Sequence, residues 1–96
     1  MSKYVQWIEH KGKKIMFCNF AGLAGDEYME AMEATQQEVL KLPEGSFYLC
    51  LMNVLNVRMT PEMTNKGREI LAIVEKRRLT EKLALVGVSE IGRAHV

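Results

Sequence analysis

Few residues of this chain have the type and spacing that chemistry needs. A nucleophile requires a base within hydrogen-bond reach, and Ser46 and Ser89 have no base at a recognisable spacing. Cys18 and Cys50 fall inside apolar, strand-like runs and read as buried, reduced core thiols, since neither belongs to a CxxC pair. His10 stands beside a lysine-rich turn and reads as a solvated hairpin residue; the other histidine, His95, falls in the segment 90–96 that is expected to be non-native, and no CxxC pair is present to make a zinc site. Gly22-Leu23-Ala24-Gly25 precedes a helix whose amides could hold an anion, but Asp26 would oppose one. The expectation is therefore a non-enzymatic protein, with no catalytic residue, metal or cofactor.

Binding has better candidates. Asn53, Asn56, Arg58 and Thr60 follow an apolar run, at the carboxyl end of a strand, which is where open α/β sheets take ligands. Charge is also uneven. Asp26, Glu27, Glu30, Glu33 and Glu38 make one helix acidic, whereas Arg68, Lys76, Arg77 and Arg78, with Lys66 and Lys82, make the next helix and its exit basic. Arg68, Lys76, Arg77 and Arg78 are the candidate partner-docking residues, because oppositely charged surfaces steer association.

The elements that must position these residues are legible in the patterning. Residues 4–10 and 14–20 are β-favouring runs around Lys11-Gly12-Lys13, which predicts an antiparallel hairpin. Asp26 is the expected N-cap of a first helix, in which Tyr28, Met32, Thr35, Val39 and Leu42 form an apolar stripe. Pro43-Glu44-Gly45-Ser46 ends it. Phe47 to Val54 is apolar on alternating faces and predicts a central strand buried on both sides. Thr60-Pro61-Glu62 opens a second helix, expected to bury Met63, Gly67, Ile70, Leu71 and Val74. Leu83 to Val88 is the last strand, again apolar on both faces.

The fold class is therefore α/β, in the order β-β-α-β-α-β, with a mixed, mostly parallel four-stranded sheet. Two helices on one face would leave the other bare, so a further helix or a second subunit (a homodimer) is the expected cover.

At 96 residues the chain makes one domain. A net charge of +1 argues against a dedicated nucleic-acid binder, and no apolar run approaches the ~20 residues of a membrane span. With no signal-peptide pattern at the N-terminus, the expected location is cytoplasmic.

Trp7-Ile8-Glu9-His10-Lys11-Gly12-Lys13-Lys14-Ile15, then Phe20-Ala21-Gly22-Leu23 and an acidic helix, then Asn53 to Pro61 after a buried strand, and Ala84 to Ser89 at the close, resemble the small bacterial SpoIIAA-like family of STAS domains. The resemblance covers residues 4–89, and at greater distance these domains are similar to lipid-binding CRAL-TRIO domains. It implies a regulatory domain that binds a protein partner or a small ligand. It also implies a phosphorylatable serine before the second helix, but that serine is missing here and Thr60 is the nearest hydroxyl. The alternative is a carrier of a small apolar or lipid-like ligand, with Phe17, Tyr28, Met32, Met59 and Met63 lining its pocket. Finally, Glu90 to Val96 resemble the in-frame translation of a sequencing adapter. Residues 1–89 are accordingly expected to form a STAS-like domain lacking its last helix, with 90–96 a non-native tail.

Overall fold

A computed structural model of the chain describes residues 3–87. Residues 88–96, which include the supposed adapter tail, lie outside the described residues. The elements are β1 (Val5–His10), β2 (Lys13–Asn19), α1 (Gly25–Leu40), β3 (Phe47–Asn53), α2 (Pro61–Lys76) and β4 (Thr80–Val86). This is the α/β order expected from the sequence.

Lys11 and Gly12, both at positive φ (53° and 78°), form the two-residue hairpin loop whose twist matches its strands. It sets β1 antiparallel to β2 in the register Val5↔Cys18 to His10↔Lys13. β3 then adds parallel to β2, and β4 parallel to β3, in the spatial order β1-β2-β3-β4. Each crossover steps one strand in the same direction. Because such crossovers are right-handed, both helices fall on the same face.

That face holds the core. Val5, Met16, Cys18, Tyr48 and Cys50 from the strands meet Tyr28, Ala31, Met32 and Val39 of α1 and Met63, Ile70 and Val74 of α2. The helices touch each other where Gly67 lies against Met32 and where Lys66 reaches Glu33 at 2.7 Å.

The opposite face carries no element among the described residues. Strand register lays apolar rows across it: Ile8, Ile15 and Leu49 in one, Phe17, Leu51 and Ala84 in the next. Phe47 is 59% exposed there, and Val86 48%. The expected two-sided burial of the central strand is thus corrected. Tyr48 and Cys50 are buried under the helices, whereas Leu49 and Leu51 are only half-buried.

Two other expectations are corrected on physical grounds. The last strand starts at Thr80 and is an edge strand, so Leu83 and Leu85 remain about half exposed even on the helix side, and Leu71 of α2 is exposed opposite them. The N-cap of α1 is Ala24 and not Asp26. Ala24 has the extended backbone of a cap without a side-chain acceptor, and Asp26 with Glu27 serves the first turn through charge alone. At α2 the expected cap is present: the Thr60 hydroxyl accepts from the Met63 amide at 3.3 Å, with Pro61 first in the helix.

Candidate functional site

Between α1 and α2, over β3 and β4, the core opens into a cavity of about 320 Å³. Tyr28, Met32 and Thr35 of α1 form one wall, and Met63, Thr64, Gly67, Ile70 and Leu71 of α2 form another. Cys50, Met52 and Leu83 are the floor, and Met59 closes one end. Two features create this space: Gly67 removes a side chain from the helix seam, and β4 is an edge strand whose helix-facing Leu83 stays about half exposed. The volume lies within the usual range for a small-molecule site, and the lining is mainly thioether and aliphatic.

Polar groups are few here. The Tyr28 hydroxyl points to the Met59 sulfur at 3.7 Å, and burial raises its pKa, so it stays protonated. The Tyr28 ring is fixed edge-on against Phe20, with centroids 5.2 Å apart. Glu81 accepts a 2.6 Å hydrogen bond from Tyr48, whose own pKa burial and that carboxylate drive upward. Arg68, which is exposed, brings a cation to the rim. Such a cavity can hold an apolar body, with the exposed Arg68 offering a positive charge at the rim and the Glu81 carboxylate already engaged by Tyr48.

Four of the five side chains expected around an apolar ligand, Tyr28, Met32, Met59 and Met63, do line it. Phe17 does not, because strand alternation turns it to the bare face, in one row with Leu51.

The candidate loop Asn53, Asn56, Arg58 and Thr60 proves to be largely spent on its own structure. The Asn53 side chain accepts from the Leu55 amide at 3.1 Å, Asn56 occupies a left-handed turn position (φ 59°), and Thr60 caps α2. Backbone bonds Phe20 N to Asn53 O and Gly22 N to Leu55 O tie the loop to the end of β2. Gly87 approaches so closely that a Cβ there would stand 2.6 Å from Leu55 Cα. Arg58 is exposed on this loop. The lining of the cavity takes Met59 from this stretch and none of the four candidates.

The basic candidates do not form one patch. Arg68 lies eight residues, or about 12 Å, from Lys76 along the helix. Arg77 folds back to donate to the carbonyls of Leu40 (2.7 Å) and Val39 (3.3 Å). It thereby serves the C-terminus of α1, whose last turn holds no basic residue. Lys76 and Arg78 remain on the surface. The helices' opposite charges are also partly joined within the molecule, because Lys66 lies between Glu33 (2.7 Å) and Glu69 (3.2 Å). That pairing raises the Lys66 pKa and lowers that of Glu33.

Sequence reasoning missed one close pair. Cys18 and Cys50, 32 positions apart, bring their sulfurs to 3.9 Å beneath α1, and Thr35 donates to Cys18 at 3.8 Å. Only the strand register reveals it. Among the described residues, no group of three or more His, Cys, Asp and Glu could hold a metal ion, and no helix is long and apolar enough to cross a membrane.

The chain matches no family model, no curated protein and no solved structure with which it was compared.

Proposed function

We propose that this chain is a non-enzymatic binding domain that holds a small apolar or lipid-like ligand between its two helices and the sheet. The observation that carries the reading is the cavity of about 320 Å³, walled by Met32, Met59, Met63 and Leu83, with Arg68 at its rim. Methionine side chains adapt to ligands of varied outline, and one cation at the mouth suits an amphiphile with an anionic head. Decanoate titrated calorimetrically should bind at one site in the wild type. It should not bind to Gly67→Leu, whose new side chain would occupy the cavity. Equal binding by both, or by neither, would remove the proposal.

A second reading is a STAS-like regulatory domain acting through protein contact, and the bare sheet face favours it. The strand residues on that face include His10, Lys13 and Lys82 and no carboxylate, around rows of Ile8, Ile15, Phe17, Leu49 and Leu51. The partner that fits is an apolar segment edged with acidic residues, a second copy of this chain being the competing occupant. Crosslinking from Lys82 separates the two, since a self-contact returns this chain's own peptides.

A further inference from the structure

We propose that Cys18 and Cys50 form a binding site for a soft monovalent metal ion, Cu(I), in a methionine-rich part of the core. The two thiols lie on adjacent strands with their sulfurs 3.9 Å apart. At a metal–thiolate distance of about 2.3 Å, two sulfurs on one metal stand about 3.8–4.0 Å apart at tetrahedral to trigonal angles. The pair therefore already has the spacing that a shared metal requires.

The same pair is poorly placed for a disulfide. Cys18 is in register with Met52, and Cys50 with Met16, so the two cysteines are diagonal neighbours offset by two residues. With strands about 4.8 Å apart and a rise of about 3.3 Å per residue, their Cα atoms are about 8 Å apart. A disulfide spans at most about 6.8 Å between Cα atoms, so closing one would require a backbone shift that the sheet hydrogen bonds resist. Convergent sulfurs on divergent backbones suit a bridging ion.

The surroundings select the metal. Met16 and Met52 are the paired residues of these cysteines on the same sheet face, and Met32 and Met63 cover that face from the helices. Thiolate with thioether is the donor set that favours Cu(I), and the described residues offer no His or carboxylate cluster for a harder ion. Cys50 and Met52 form the cavity floor, which gives an ion a path from solvent. Binding releases the two thiol protons to solvent and transfers no electron, Cu(I) remaining Cu(I) throughout.

The proposal does not depend on the apolar-ligand reading, although the two share Cys50 at the cavity floor: decanoate binding can fail while Cu(I) binds, and the reverse. The test is an anaerobic titration with Cu(I), competed by a chelator, on the wild type, Cys18→Ser and Cys50→Ser. The wild type should retain one equivalent with near-ultraviolet thiolate-to-metal absorption, and both serine variants should lose that absorption. X-ray absorption on the loaded wild type, which needs no variant to fold, should show sulfur ligands only. No retained Cu(I), retention by both serine variants, or nitrogen and oxygen ligands would overturn the proposal.

Discussion

Gly67 of α2 sits directly over the Met32 side chain of α1, and a Cβ built on Gly67 would meet the Met32 methyl at 3.8 Å. That is ordinary van der Waals contact, so alanine fits without displacing anything. Glycine inside a helix costs about 1 kcal/mol against alanine. Gly67→Ala should therefore raise stability by roughly 0.5–1 kcal/mol in urea denaturation. It should also trim the cavity, whereas a larger residue would fill it. A destabilised alanine variant would mean that the helices pack more tightly here than this contact indicates.

Trp7 donates its indole N–H to Glu38 at 2.9 Å, tying β1 to α1, and Lys41 holds the other carboxylate oxygen, also at 2.9 Å. The Lys41 hydrogen bond is the main reason that the Glu38 carboxyl titrates below its ordinary value of 4.5, with Trp7 adding to it and partial burial opposing. A carboxylate lowered in the folded state contributes stability that is fully present above its unfolded pKa and is lost as pH falls through the folded one. Stability should therefore decline on acidification below about pH 4.5, and Glu38→Gln should flatten that decline. Trp7 is the sole tryptophan, so its fluorescence reports the transition directly. An unchanged acid limb in the glutamine variant would contradict the assignment.

Arg77 was a docking candidate from sequence, yet its guanidinium donates to two carbonyls at the end of α1. Arg77→Ala should cost about 1–2 kcal/mol, since hydrogen bonds from a charged donor are the stronger kind. Lysine, a single-point donor, should recover only part of the loss. Lys76→Ala, on the exposed surface one residue earlier, should be within about 0.5 kcal/mol of wild type. Equal effects of the two alanine changes in chemical denaturation would remove the capping role.

What the sequence could disclose was local. Thr60-Pro61-Glu62 states a helix start in its own chemistry, and the Lys11-Gly12 turn states a hairpin, so both appear where expected. Asp26 reads as the cap from residue type, but Ala24 supplies it with backbone geometry alone, which leaves no mark in residue type. Leu71, Leu83 and Leu85 look like core residues by composition, but their exposure depends on β4 being an edge strand, a fact of topology. Tyr28, Met32, Met59 and Met63 were legible as a group of apolar residues at helical or loop positions. Their gathering around one cavity required both helices to lie on one face. The 3.9 Å approach of Cys18 to Cys50 required the register between β2 and β3 and could not be read from spacing.

The bare face makes its own prediction. Leu51, half-buried in the middle row between Phe17 and Ala84, should tolerate lysine with the fold intact by circular dichroism. If this face is a protein contact, Leu51→Lys should abolish any association seen by sedimentation of the wild type, because a central unpaired charge is costly in an apolar interface. Association that survives the change would place the contact elsewhere.

The cavity itself can be probed at the methionines. With methyl-labelled methionine, decanoate should shift the Met32, Met52, Met59 and Met63 resonances, whose side chains line the cavity, and leave Met29, which is outside its lining, in place. Gly67→Leu should remove those shifts. Shifts absent from all four cavity methionines, or unchanged in the leucine variant, would contradict the assignment of this cavity as the binding site.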